Sequence, residues 1–218
     1  MINAFLFDFD GVVVDSEPIH TITKGMALDF FGIDYPQDIF DKFKGTSEEK
    51  FFVYVSEELD PQNRPFEQFK VKRQEILSSF LSEMPVIDGF FDIMEYLKYR
   101  KIKTSLVTSS TDRELQNIDK YLNLTSFFEE IISADSTKKH KPNPDPYLKA
   151  LEVLNLKGED VIVIEDSENG IISGKLAGCK VYALTTTFSE KELIQAGADK
   201  VFKSYKELMS HVRDILKI

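Results

Sequence analysis

Cysteine is nearly absent from this sequence, since Cys179 is the single example in 218 residues. One cysteine can form neither an intrachain disulfide framework nor a cysteine-rich metal site, which excludes the small domains that depend on them. We expect Cys179 to occupy a buried apolar position, because an unpaired thiol behaves as a small hydrophobic group.

The N-terminal region lacks a long hydrophobic run. The apolar segment that begins at Ala4 is interrupted by Asp8. Such a segment is too short for the apolar part of a signal peptide or for a membrane span. We therefore expect a cytoplasmic protein that has no membrane partner.

Basic residues are fewer than acidic ones, with 27 Lys and Arg against 37 Asp and Glu, and the formal net charge is −10 at pH 7. Nucleic acids are bound through clustered Lys and Arg, so this balance argues against a nucleic-acid partner. An anionic small molecule would need a bound cation and a few well-placed basic side chains. With 42% hydrophobic residues, the chain can bury the core of one large domain or of a domain that carries an insert.

Short apolar segments alternate with helical patterns over most of the chain. The apolar segments predict buried strands, and the helical patterns between them predict crossover connections. This alternation predicts an α/β fold with a doubly wound parallel sheet covered by helices on both faces. The predicted strands are residues 3–8, 103–109, 130–133, 160–165 and 180–184, and the predicted helices are residues 91–99, 112–122, 146–154 and 168–177.

Residues 16–85 interrupt this alternation and contain no convincing strand. Thr46, followed by Glu49 three residues later, resembles a capping box at the start of a helix. We predict a helical insert over residues 16–85, between the first strand and the rest of a sheet domain formed by residues 1–15 and 86–218. Apolar residues recur at near-helical spacing in the first part of this segment, at Ile19, Ile22, Met26 and Phe30.

The first predicted strand ends in two aspartates, Asp8 and Asp10. Residues two apart in an extended chain point to the same side, so we expect both carboxylates at the carboxyl end of the strand, where open parallel sheets bind ligands. The alternative is that both aspartates only form a turn. A calcium-binding EF-hand loop is excluded, because Val13 and Ile19 occupy its sixth and twelfth positions.

A second acidic pair, Glu165 and Asp166, follows the apolar segment VIVI. Taken alone, this pair could equally well cap the helix that follows. Two acidic strand ends in one sheet favour a metal site instead. The carboxylate oxygens of Asp8 and Asp166 suit Mg²⁺, which binds one or two carboxylates, several waters and a substrate phosphate.

Hydroxyl groups and one lysine are candidates for binding a phosphate. Thr108 and Ser109 end a predicted strand, where hydroxyls and backbone N–H groups form a phosphate cradle, although a local turn is the alternative. Lys141 precedes Pro142, which favours an extended conformation. We predict that Lys141 is a counter-charge for phosphate, with a solvated basic loop as the alternative.

The segments that carry these residues resemble a known family. DFDGVVVDS at residues 8–16, Thr108 at a strand end, Lys141 followed by proline, and EDSENG at residues 165–170 are similar in order and spacing to the four motifs of the haloacid dehalogenase superfamily. The resemblance covers nearly the whole chain and favours the beta-phosphoglucomutase-like branch, which includes phosphatases of small metabolites. It implies a Rossmann-like core and identifies residues 16–85 as a helical cap domain.

The resemblance also implies a mechanism. Asp8 would be the nucleophile that forms an aspartyl-phosphate, and Asp10 would be the general acid and base. The expected enzyme is a monomeric, Mg²⁺-dependent hydrolase of a small phosphorylated metabolite. The implied catalytic residues are Asp8, Asp10, Thr108 and Lys141, the metal residues are Asp8, Asp10, Glu165 and Asp166, and the substrate-binding residues are Ser109, Ser110, His20, Gly45, Thr46 and Ser47.

Two other functions stay open at this point. A phosphomutase holds a second phosphate with a cap loop that the run Lys44 to Ser47 resembles, but Glu48 stands where the mutase has arginine. A carboxylate repels a phosphate, whereas arginine would pair with it, so Glu48 favours a phosphatase. A non-enzymatic phospho-receiver domain also accepts phosphate on aspartate, but its strand order and its lack of a helical insert disfavour it.

Overall fold

The computed structural model describes residues 2–43 and 48–217. The chain divides into two compact units: the core unit, Met1–Asp15 with Pro85–Ile218, and the cap unit, Ser16–Met84. The predicted capping box at Thr46 lies outside the described residues, as do the predicted substrate contacts at Gly45, Thr46 and Ser47.

The described part of the core unit contains a six-stranded parallel sheet. Its strands are β1 (Ala4–Phe7), β2 (Lys103–Val107), β3 (Glu130–Ile132), β4 (Val161–Glu165), β5 (Lys180–Leu184) and β6 (Lys200–Phe202). The strand order is β3-β2-β1-β4-β5-β6. This order confirms the predicted doubly wound fold. The winding direction changes between β1 and β4, and ligands bind at such a point at the carboxyl ends of the strands.

The helices of the two units are, in chain order, α1 (Glu17–Phe30), α2 (Ile39–Lys42), α3 (Glu48–Tyr54), α4 (Phe66–Ser78), α5 (Phe90–Tyr99), α6 (Asp112–Leu122), α7 (Asp145–Leu154), α8 (Glu168–Leu176), α9 (Glu190–Gln195) and α10 (Tyr205–Ile215). A π-helical turn, Val55–Leu59, follows α3 directly. Gly178 adopts a left-handed φ of 81° just after α8, as expected for a residue that ends a helix.

The two faces of the sheet are packed differently. Small and branched residues of the strands, such as Leu6 and Val163, share one face with Tyr147 of α7 and Ile171 of α8. The opposite face is aromatic. Phe7 of β1 packs edge-on against Phe90 of α5 (centroid distance 6.3 Å) and tilted against Phe128 (centroid distance 5.9 Å). Cys179 belongs to the first face and is buried, as predicted, and burial raises the pKa of its thiol to about 12.

The predicted strands and helices differ from the observed ones mainly at their ends. The strand predicted over residues 103–109 ends at Val107, and that over residues 3–8 ends at Phe7. β6, α9 and α10 were not among the predicted elements. β6 has only three residues and lies, partly exposed, at the edge of the sheet. Its sequence therefore does not show the apolar run that marks a buried strand.

The regular elements in the described part of the cap unit are helical. Their core is built largely from aromatic residues, including Phe51, Phe52 and Phe69. The predicted helix at the start of this unit is present as α1, but its predicted apolar face is wrong in part. Ile19 is buried, whereas three of the residues in that pattern are exposed. They are Ile22 at 50%, Met26 at 42% and Phe30 at 62% of their surface.

Candidate active site

β1 carries Asp8 to the carboxyl edge of the sheet. The backbone N–H of Asp8 donates to the carbonyl of Ile164 in β4 at 3.0 Å, so the two strands remain side by side at this point. The chain then turns instead of staying extended. The carbonyl of Phe9 accepts a hydrogen bond from Val13 N at 2.8 Å, and Gly11 has a left-handed φ of 70°.

The sequence predicted that Asp8 and Asp10 point to the same side of an extended strand. The turn shows that this prediction is wrong for Asp10. Because β1 ends at Phe7, Asp10 does not extend the strand, and it forms an isolated bridge with Val14. Asp10 is partly exposed, whereas Asp8 is buried. The negative charge of Asp10 nevertheless adds to the rise that burial causes in the pKa of Asp8.

The carboxylates of Asp8, Glu165 and Asp166 form a buried cluster, which we call the carboxylate cluster. Each residue offers one oxygen atom, and these atoms lie within 4.8 Å of one another. The cluster forms because Phe7 of β1 pairs with Ile164 of β4, so both strands end at the same level. Asp8 is thereby brought next to Glu165 and Asp166, which are far from it in the sequence.

Lys141 places its ammonium group between two of these carboxylates. Its Nζ donates to Asp8 Oδ1 at 2.5 Å, to Glu165 Oε1 at 2.7 Å and to the carbonyl of Val107 at 2.9 Å. Its side chain is 5% exposed, in contrast to the solvated loop considered as an alternative. Burial lowers the pKa of Lys141, but Asp8 and Glu165 outweigh it and hold the pKa above its usual value. The peptide bond between Lys141 and Pro142 is cis.

The oxygens of Glu165 are occupied by protein donors. Oε1 accepts from the hydroxyl of Tyr147 at 2.8 Å as well as from Lys141, and Oε2 accepts from Ser167 Oγ at 2.9 Å. The space beside it is filled, since a Cβ atom on Gly170 would lie 1.7 Å from Oε1. Ser167, and not the acidic pair, caps α8 by accepting from Gly170 N at 3.1 Å.

The carboxylate cluster carries more negative charge than Lys141 can balance. Burial raises the pKa of Asp8 to about 7, with Lys141 acting in the opposite direction and with Glu165 and Asp10 adding to the rise. Burial, Glu165 and Asp8 raise the pKa of Asp166 well above its usual value. A bound cation would lower the pKa of both aspartates, and oxygen ligands of this kind suit Mg²⁺.

Thr108 lies at the carboxyl end of β2, directly after the carbonyl that Lys141 contacts. It is 2% exposed, and its Oγ1 accepts a hydrogen bond from Ser110 N at 3.0 Å. This contact is the local turn that the sequence left open as an alternative. Ser109 is exposed and Ser110 is partly buried, so both are accessible beside this strand end. Their roles as phosphate ligands stay predictions.

Residues 5–184 match a family model described as haloacid dehalogenase-like hydrolase. The chain belongs to this family. The match includes the ends of β1, β2 and β4 and the loop with Lys141. As a haloacid dehalogenase-like hydrolase, the protein is an enzyme, as predicted, which disfavours the receiver-domain alternative.

Relatives of this hydrolase match nearly its full length. A phosphorylated carbohydrates phosphatase from Thermotoga maritima is 30% identical over 219 residues, which cover 98% of this chain and 99% of the relative. The pyrophosphatase PpaX of Bacillus mycoides is 24% identical, with 89% of each chain covered. A solved structure from T. maritima, provisionally assigned as a beta-phosphoglucomutase, has a TM-score of 0.86 and 29% identity over 98% of this chain and 100% of that chain. These similarities confirm the predicted superfamily and branch.

The cap unit of this hydrolase contains a buried polar group around Arg73 of α4. Arg73 donates to Glu48 Oε1 at 3.2 Å and to Thr23 Oγ1 at 3.3 Å, and it also hydrogen-bonds Nδ1 of His20. The predicted substrate contact His20 is therefore engaged within the cap unit. Glu48, whose carboxylate was predicted to repel a second phosphate, forms an ion pair with Arg73.

Two threonines at the site were missed from the sequence. They lie in the run Thr185 to Thr187, directly after β5. Thr186 Oγ1 donates to the carbonyl of Gly11 at 2.5 Å, and the hydroxyl of Thr187 opposes the rise that burial causes in the pKa of Asp166. The signal that could have found them is the same as for Thr108, namely hydroxyls at the carboxyl end of a predicted strand.

No helix within residues 2–43 and 48–217 is both long enough and apolar enough to cross a bilayer.

Proposed function

We propose that this hydrolase is a Mg²⁺-dependent phosphatase that releases phosphate from a small phosphorylated metabolite, such as a sugar phosphate, through an aspartyl-phosphate intermediate. The observation that carries the proposal is the buried carboxylate cluster in contact with the ammonium of Lys141. The name of the T. maritima relative, a phosphatase of phosphorylated carbohydrates, supports the substrate class. The reaction class is phosphoric monoester hydrolysis.

Asp8 is the proposed nucleophile. Its carboxylate oxygen attacks phosphorus, and the bond between phosphorus and the substrate oxygen breaks as the bond to Asp8 forms. Asp10 donates a proton to the departing alkoxide and later accepts one from the water that attacks the aspartyl-phosphate. This second step breaks the bond between phosphorus and Asp8, releases inorganic phosphate and restores the carboxylate.

Lys141 is proposed to bind the phosphoryl oxygens while it holds Asp8 in place. Its ammonium stays protonated because two carboxylates raise its pKa. A fixed positive charge beside the reacting group stabilises the negative charge on the phosphoryl oxygens. The hydroxyl of Thr108 and the N–H group of Ser109 would orient the same oxygens, with Ser110 as a further contact of the substrate.

The residues of the carboxylate cluster fit Mg²⁺. Asp8 and Asp166 would hold the ion directly, together with the backbone carbonyl of Asp10. Glu165 would act indirectly, because protein donors already occupy both of its oxygens. When bound, Mg²⁺ neutralises part of the negative charge on the carboxylates and on the phosphoryl group.

A phosphomutase is the second candidate function. The electrostatic objection to it rests on the carboxylate of Glu48, and the ion pair with Arg73 weakens that objection. One similar solved structure is provisionally assigned as a beta-phosphoglucomutase. His20 and the loop with Gly45, Thr46 and Ser47 are proposed to contact the substrate in either case.

Phosphorus NMR distinguishes the two functions in one sample. With beta-glucose 1-phosphate and Mg²⁺, a phosphatase releases inorganic phosphate, and added glucose 1,6-bisphosphate does not prime it. Formation of glucose 6-phosphate faster than phosphate release would favour the mutase. A panel of phosphorylated sugars, polyols, nucleotides and pyrophosphate defines the substrate class, with Asp8→Asn as the inactive control. No phosphate release from any of these compounds would contradict the proposal.

A further inference from the structure

The loop after β5 contacts the candidate active site through Thr187. A Cβ atom on Gly11 would lie 1.8 Å from Asp166 Oδ2 and 2.9 Å from Thr187 Oγ1, so both oxygens pack against the same glycine. The hydroxyl of Thr187 also opposes the rise that burial causes in the pKa of Asp166. The neighbouring Thr186 is bonded to the carbonyl of Gly11, which fixes this loop against the turn after β1.

The carboxylates of the cluster are held in different ways. Lys141 contacts Asp8 and Glu165, and Glu165 accepts further hydrogen bonds from Tyr147 and Ser167. Asp166 has the hydroxyl of Thr187 beside it, since both pack against Gly11. A carboxylate has two oxygens, so one hydroxyl donor can fix its orientation and leave the other oxygen for a cation.

We propose that Thr187 is a positioning residue that orients the Asp166 carboxylate for Mg²⁺. This inference rests on the proposed metal site. The donor acts through Asp166 and does not itself touch the ion. Groups that orient a metal ligand in this way change metal affinity by about 10- to 100-fold when they are removed.

The test is calorimetric titration of the full chain, freed of metal, with MgCl₂ in the absence of substrate. Thr187→Val removes the hydroxyl and keeps the branched shape, so we expect Mg²⁺ to bind about 10- to 100-fold more weakly. Thr187→Ser keeps the donor and should bind Mg²⁺ as the unsubstituted chain does. Thr185→Val is the matched control in the same loop, because the contact of Thr185 with Phe202 uses its backbone N–H.

Thermal unfolding without Mg²⁺ separates this role from a structural one. We expect the midpoints of these variants to agree within about 4 °C. Equal Mg²⁺ affinity of Thr187→Val and the unsubstituted chain would overturn the inference, and so would a Thr187→Ser variant as weak as Thr187→Val. Should Thr187→Val not fold, Thr187→Ala provides the same comparison. If the unsubstituted chain binds no Mg²⁺, the proposed metal site fails together with this inference.

Discussion

Replacing Asp8 by asparagine is expected to abolish phosphate release and, without Mg²⁺, to stabilise the folded protein at about pH 8. The activity is lost because an amide cannot replace the carboxylate as nucleophile. The gain in stability follows from the crowding of buried carboxylates. Burial raises the pKa of Asp8 from 3.8 to about 7 despite the opposing effect of Lys141, so the ionised group costs free energy in the folded state.

The pH dependence has a defined sign. The pKa of Asp8 is higher in the folded protein, so the folded state keeps a proton that the unfolded chain releases between pH 3.8 and about 7. The stability of the unsubstituted protein therefore falls as pH rises through this window. A rise of about 3 pKa units corresponds to about 4 kcal/mol.

Asp8 accepts a hydrogen bond from Lys141 at 2.5 Å, and this contact already lowers the pKa of Asp8, so it is included in the value of about 4 kcal/mol. Neutral asparagine resembles the protonated carboxyl, so Asp8→Asn is predicted to raise the free energy of unfolding by up to about 4 kcal/mol at about pH 8. At about pH 4 we expect no stabilisation, because Asp8 is then largely protonated in the folded state.

Urea unfolding followed by circular dichroism, with a chelator present at pH 4, 6 and 8, measures this difference. Asp34→Asn, at an exposed position, is the matched control and should change stability little at any of these pH values. Mg²⁺ should reduce or reverse the advantage of Asp8→Asn, since the ion binds the carboxylate better than the amide. A less stable Asp8→Asn variant at pH 8, or a difference that does not change with pH, would refute the reasoning.

Three further predictions concern the same site. Asp10→Asn should slow hydrolysis of sugar phosphates by about 10²- to 10⁴-fold and should slow hydrolysis of aryl phosphates less, because an acidic leaving group needs no proton. Equal losses of the steady-state rate for both substrates would count against the role of Asp10. A chelator should abolish phosphate release, Mg²⁺ should restore it and Ca²⁺ should inhibit it, whereas an unchanged rate in chelator would exclude the metal site. Gly170→Ala should lower the free energy of unfolding by about 1–3 kcal/mol in urea titrations, because the added Cβ meets Glu165, while Asn169→Ala on the exposed side of α8 should not.

Much of the fold could be predicted because it depends on local patterns. The segments that became β4 and β5 are short apolar runs, and such runs form buried strands whatever the partner strands are. α6 occupies the predicted residues, with a Thr111 capping box at its start. β6 was not predicted, because its three residues show no such pattern and form a strand only by pairing with β5.

The candidate site was less accessible to prediction. Acidic residues after two apolar runs indicated a cation site, and the structure brings Asp8 beside Glu165 and Asp166. The argument that tied Asp10 to an extended strand was wrong, because backbone hydrogen bonds to Phe9 turn the chain immediately after Asp8. Turn geometry of this kind depends on hydrogen bonds that residue spacing does not reveal.

The sequence by itself determined the kinds of elements, their order and the chemistry at the strand ends, because these depend on residues a few positions apart. The tertiary structure decided which distant groups meet. Lys141 pairs with Asp8 across 133 positions, and its ammonium also contacts the carbonyl of Val107 at the end of β2, the neighbour of β1. Thr187 reaches Asp166 because β5 lies beside β4. Arg73 neutralises Glu48 through packing within the cap unit, and no local periodicity specifies such a pair.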